Sequence, residues 1–256
     1  LPAIAFPLFN LRRLRFFFCS RRQARMESRA PEVKDFQVRR YRASDRDSVR
    51  ALCCETGFLG RAIDPVFEDR ELFADFFTDY YLRHEPDSAF VVTKNDSIQG
   101  YLIGSRHPLK HQTHSLFQIF AHGAKVARRY FGYSPASRQY IHWLISKAWR
   151  EVPAAPRNIG HFHVNLLPPV KSIQVFRQLL ETYLRHLYDH GVKQVHAQMV
   201  TFDGRRGFKL FERYGFKVIN QSEITKYRRY THRTVYLCTI VKTLESESER
   251  FLYPVR

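Results

Sequence analysis

The sequence predicts an α/β (α+β) fold built as one large domain, and three observations carry that expectation. Short runs rich in β-branched and aromatic residues recur along the chain, separated by turn residues. Two of them, residues 89–93 and 98–104, are joined by Lys94, Asn95 and Asp96, the signal of a tight hairpin. Between later runs, Phe176, Leu179, Leu180, Tyr183, Leu184 and Leu187 fall on one face of a long helix.

Taken in order, residues 36–41 read as a strand. Ser44 is then a candidate N-cap for a helix that carries Val49, Leu52 and Cys53 and stops at Gly57. Residues 70–83 place Leu72, Phe73, Phe76, Phe77, Tyr80 and Tyr81 at helical spacing, and the hairpin follows. Two helices, residues 115–131 and 137–149, are separated by Gly132 and Pro135. After Pro153, Pro156 and Gly160 come a strand at 161–167, the long helix capped by Ser172 and stopped by Gly191, and a strand at 194–201. A short helix between Asp203 and Gly215 and two strands, 217–224 and 234–243, close the order. The domain spans 34–245, with a helical insertion at about 106–158, a basic leader at 1–33 and a tail at 246–256.

With 256 residues, 44% hydrophobic and 26% charged, the chain is excluded from the disordered, collagen-like and coiled-coil classes. Lys and Arg exceed Asp and Glu by 18, which implies a polyanion: nucleic acid, membrane phosphate or the phosphates of a cofactor. Cys19, Cys53, Cys54 and Cys238 form neither a CxxC pair nor a disulfide framework, which suggests a reducing, cytoplasmic setting. No apolar run reaches the roughly 18 to 20 residues of a membrane span. The leader holds Arg12, Arg13, Arg15, Arg21, Arg22 and Arg25 with no acidic residue before Met26, so either a targeting segment or a body that opens at Met26 is expected.

Three segments resemble the GNAT (Gcn5-related N-acetyltransferase) superfamily. His161-Phe-His-Val-Asn-Leu-Leu-Pro-Pro169 resembles its fourth strand running into the acyl-CoA loop, and Lys209-Leu-Phe-Glu-Arg-Tyr-Gly-Phe216 its closing helix. Residues 56–60, 63–65 and 67–75 are similar to the first-helix region of a bacterial subgroup. The resemblance implies a mixed twisted central sheet flanked by helices and acetyl-CoA as co-substrate. It also implies an N-acyltransferase in which an amine, a small molecule or a peptide, attacks the thioester directly in a ternary complex.

The residues the resemblance implies for the acyl-CoA loop are Lys171, Ser172, Ile173, Gln174, Val175, Phe176 and Arg177. A backbone N–H near Leu166 or Leu167 would polarise the thioester carbonyl. The loop is degenerate: Gln174 and Phe176 stand where the family has small residues that let amides approach a pyrophosphate. Phe211 stands where the family has the tyrosine that protonates the leaving thiolate, and Gly204 where it has a CoA-contacting Asn. Tyr214 is the candidate substitute acid or, alternatively, a core aromatic with its hydroxyl at the rim. A catalytically impaired GNAT-fold binding or regulatory module is therefore the alternative function.

His161 and His163 alternate on their strand and so share a face. They lack a third metal ligand at a telling distance, and no metal is expected. An imidazole of ordinary pKa near 6.5 is neutral at pH 7 and can take a proton from an amine. His163, and after it His161, is the candidate base, with a satisfied buried imidazole as the other reading. Eight basic residues and no carboxylate lie between Asp96 and Glu151. That insertion reads as a lid toward phosphates, as a face for RNA or membrane, or as a solvated face paired with Asp64, Glu68, Asp69, Glu71, Asp75 and Asp79. Phe131, Tyr140 and Trp143, interleaved with its charges, are expected to point inward.

Overall fold

The computed structural model describes residues 36–202 and 211–244. The leader, the tail, Met26, Asp203 and Gly204 lie outside the described residues. Seven strands form one sheet in the order β1-β2-β3-β4-β5-β7-β6. They are β1 (Gln37–Arg40), β2 (Ala89–Lys94), β3 (Ser97–Ser105), β4 (Gly160–Leu166), β5 (Gln194–Phe202), β6 (Lys217–Glu223) and β7 (Val235–Thr243). Every neighbouring pair is antiparallel except β4 and β5, so the sheet is mixed. The β2–β3 turn is the tight hairpin expected, with Asn95 and Asp96 both left-handed (φ 50° and 58°), the geometry that matches strand twist.

The helices are α1 (Arg46–Thr56), α2 (Arg70–His84), α3 (Pro108–Arg129), α4 (Pro135–Ser146), α5 (Ala148–Glu151) and α6 (Ile173–Asp189). One sheet face packs on α1, α2 and α4 through Val49, Leu52, Phe73, Tyr101 and Ile103. The opposite face packs on α6 through Phe90, Leu102, Phe162, Leu179 and Tyr183. Arg50 ties α1 to α2 by bonds of 2.6 Å to both Glu71 and Asp75.

Two local expectations are corrected. Ser44 does not cap α1: residues Ala43–Asp45 form a short 3-10 turn, and Asp45 is instead held by Arg39 (2.6 Å) and by the Arg42 amide (2.7 Å). The first insertion helix starts at Pro108, seven residues before the expected 115, because a proline at the first helical position has no N–H to leave unpaired. The insertion is fastened to the body at Asp69, which caps α2 through the Leu72 amide and accepts bonds from Arg129 (2.8 Å) and the Tyr133 hydroxyl (2.7 Å). The rest of the acidic stretch is largely engaged elsewhere, with Arg46, Arg50, Arg70 and Arg83 taking Asp64, Glu71, Asp75 and Asp79. Tyr140 and Trp143 point inward as expected, whereas Phe131 is 89% exposed.

Tyr183 of α6 reaches down onto the sheet to donate to the His161 carbonyl (3.0 Å). That approach passes over Gly104 of β3, where a Cβ would overlap both the Tyr183 hydroxyl and the His161 carbonyl oxygen. Gly104→Ala is expected to cost about 1–3 kcal/mol, the range for overpacking a close-packed site, read as a lower denaturant midpoint.

Candidate active site

The site is set by where two strands part. β4 keeps all but its first residue paired with β3, from Gly100↔Leu166 to Ser105↔His161. Its partnership with β5 is limited to Gly160↔Val195 and His161↔His196. Beyond that point β5 pairs with β7 alone, and a gap opens between β4 and β5. The Leu167 amide donates to the Gln99 carbonyl (2.8 Å), so the odd-numbered residues of β4 spend their backbone groups on β3. The even-numbered ones then face β5, which aims the amides of Val164 and Leu166 into the gap. Leu167, the other expected carbonyl-polarising residue, has its N–H committed to Gln99.

The side chains divide by the same parity. Phe162, Val164 and Leu166 enter the core under α6, while His161, His163 and Asn165 face α2. Phe77 and Tyr81, four residues apart on α2, lie on one helical face, and Tyr81 presents its hydroxyl to β4. That hydroxyl lies 2.7 Å from His161 Nε2, 3.0 Å from His163 Nε2 and 3.1 Å from Nε2 of His111, a residue of α3. A phenol donates once and accepts twice, so one hydroxyl can satisfy all three imidazoles while all stay neutral. His196 of β5 completes the group, its ring centroid 5.5 Å from that of His161. Asn165 donates to the Tyr101 hydroxyl (2.6 Å).

Burial, reinforced by the neighbouring His111 and His196, pushes His163 down to about 3 and His161 well below the ordinary imidazole value. Burial likewise lowers His111 and His196 to about 4. The Tyr81 phenol is raised well above its usual value, again chiefly by burial. The cluster is therefore uncharged at neutral pH. Sequence reasoning missed Tyr81, His111 and His196. His196 was detectable, since it alternates on a neighbouring strand, but Tyr81 read as core and His111 preceded the expected helix.

The remaining site residues lie around α6. Ser172 caps it, accepting from the Val175 amide (3.2 Å), and Phe176 donates its amide to the Ser172 carbonyl (3.1 Å). The amides of Ile173 and Gln174 have no acceptor within the helix, as geometry requires of a first turn. Among the described residues no position from 167 to 176 takes a positive φ, so the backbone there needs no glycine. Val175 and Phe176 are fully buried, and the Phe176 ring packs on Phe211 (5.8 Å) and Tyr214 (5.6 Å). Ile173, Gln174 and Arg177 are exposed, Arg177 pairing with Glu181 (2.7 Å). Burial lowers the Lys171 ammonium. Phe211 is buried against Phe176 and Phe216. Tyr214 sits at the rim of that core, on the opposite sheet face from His161 and His163.

No family model matches the chain. Among solved structures, the chain is similar to SsHAT, at 23% identity over 83% of this chain and 100% of that one, with a TM-score of 0.54. The chain has the GNAT fold. A Drosophila melanogaster polyamine N-acetyltransferase aligns at 14% identity over 82% of this chain and 100% of that one, with a TM-score of 0.50. A GNAT superfamily phosphinothricin acetyltransferase from Sinorhizobium meliloti, in complex with AcCoA, aligns at 13% over 82% and 89%, with a TM-score of 0.49. Within this GNAT fold, no helix among the described residues is long and apolar enough to cross a membrane.

The histidine cluster gives the fold a pH dependence of known sign. Unfolded imidazoles titrate near 6.5, whereas the folded ones hold no proton until about 3 to 4, so the unfolded state binds more protons between those values. Stability is full above pH 6.5 and falls as the pH drops toward 4, by roughly 1.4 kcal/mol per unit for each imidazole kept neutral. Urea midpoints measured between pH 7.5 and 4.5 should show this decline, and His163→Gln should make it shallower.

Proposed function

We propose that the protein is an acyl-CoA-dependent N-acyltransferase in which an amine attacks the thioester in the gap between β4 and β5. The observation that carries this reading is the parting of the two strands beside a buried cluster of neutral imidazoles. The thioester carbonyl would be polarised by the Leu166 amide. The pyrophosphate would take the Ile173 and Gln174 amides at the positive end of α6, with Lys171 and Arg177 beside it. Phe176 does not obstruct this placement, because its ring is in the core.

His163 would receive the proton lost by the attacking nitrogen, and Tyr81 would pass a proton between His163 and His161. The new N–C bond forms as the C–S bond breaks, and the proton ends on the leaving sulfur. With Phe211 unable to donate and Tyr214 across the sheet, the Tyr81 hydroxyl linked to the imidazoles would be the source of that proton. A thiol of pKa near 8.5 is a tolerable leaving group in any case.

Acetyl-CoA at a hundred times its Kd should stabilise the protein by about 2.7 kcal/mol. Absence of any thermal shift at millimolar acetyl-CoA would leave the GNAT-fold binding module as the reading.

His163→Ala should lower kcat/KM on the order of 10²-fold with a panel of polyamine and peptide amines. The ascending limb of the wild-type pH profile should follow the acceptor amine, because His163 is already unprotonated well below pH 6. An unchanged rate per folded molecule would make His163 structural.

A further inference from the structure

The insertion helix α3 has two working faces. His111 and Gln118 point inward, His111 onto Tyr81 and Gln118 onto the Asp75 carbonyl, and His122 lies against Phe76. At about 100° per residue, Leu109, Leu116, Phe117 and Phe120 fall on the side away from these. They are 68%, 53%, 70% and 77% exposed. A helix of a water-bound surface does not usually spend four large apolar side chains this way, and contiguous apolar area of this kind marks an interaction site. Phe131, just past the end of α3, is likewise 89% exposed. Lys110 and Arg128 both fall along one edge of the stripe, next to Phe117, by the same geometry, and no carboxylate occurs between Asp96 and Glu151.

We propose that this outer face of α3 docks on the surface of an anionic phospholipid bilayer, with Leu109, Leu116, Phe117 and Phe120 entering the acyl boundary. An acid-free amphipathic helix with Leu and Phe on one side and Lys110 and Arg128 along one edge of that side has the chemistry for that interface. A second copy of the chain is disfavoured, because antiparallel pairing of α3 about a two-fold sets the Lys110–Arg128 edge of one copy against the same edge of the other with no carboxylate between them. A nucleic acid is disfavoured as well, because Leu109 and Leu116 offer no ring for a base to stack on. The inference stands apart from the acyl-transfer reading, although the docking helix also supplies His111.

The test is sedimentation of the full chain with phosphatidylcholine vesicles, with and without about 30% phosphatidylserine, at physiological salt. Binding is expected to the anionic vesicles and not to pure phosphatidylcholine. Leu116→Ser, Phe117→Ser and Phe120→Ser together should weaken it tenfold or more at an unchanged melting temperature. Lys110→Gln and Arg128→Gln should each weaken it about fivefold. Should the triple variant melt early, Phe117→Trp decides: relative to wild type, its added fluorescence should shift blue and be quenched by brominated acyl chains. Wild-type binding by the triple variant, unaltered Phe117→Trp emission with vesicles, or failure to bind anionic vesicles overturns the proposal. So does an α3-dependent dimer, or binding of single-stranded RNA that the triple variant loses.

Discussion

The site depends on one constraint: β4 must stay paired with β3 to its end while it loses β5 after two residues. A strand whose partner leaves exposes every second N–H and C=O along the abandoned edge, and those groups demand a polar occupant or water. The side chains of Phe162, Val164 and Leu166 keep β4 anchored under α6 while its edge is open. Gly104 and Tyr183 hold the closed end of the gap.

On the other face, three elements distant in sequence meet at one hydroxyl. Tyr81 comes from α2, His111 from α3 and His161 and His163 from β4, and removing the hydroxyl would leave imidazole nitrogens buried without it as a partner. Burial rather than a neighbouring carboxylate governs these imidazoles, which is why they are neutral rather than charged. Neutral imidazoles linked by a phenol can move a proton without creating two adjacent charges. Segment 106–158 accordingly contributes an uncharged ring there, His111 of α3, rather than one of its cations.

The departures from the family pattern at Phe176 and Phe211 have a common physical origin. Phe176, Phe211 and Tyr214 pack on one another beneath α6, so two of the unexpected aromatics are solutions to a packing problem. The loop backbone stays in the negative-φ region, and large residues at Gln174 and Phe176 cost it no strain. Nothing in the composition of the loop reveals which way the Phe176 ring turns.

The sequence by itself determined the order of the seven strands and the long helices, the hairpin, the cap at Ser172 and the shared face of His161 and His163, because period and turn chemistry act over a few residues. It also carried the acid-free stretch between Asp96 and Glu151, though not the start of α3, whose inward residues are histidines and a glutamine that no apolar periodicity reports. Tertiary structure alone decided that β5 leaves β4 after His196, that Tyr81 and His111 join the two strand histidines, and that Tyr214 ends across the sheet from them. Periodicity tells which residues share a face. What that face meets is settled only when segments far apart in the chain pack together.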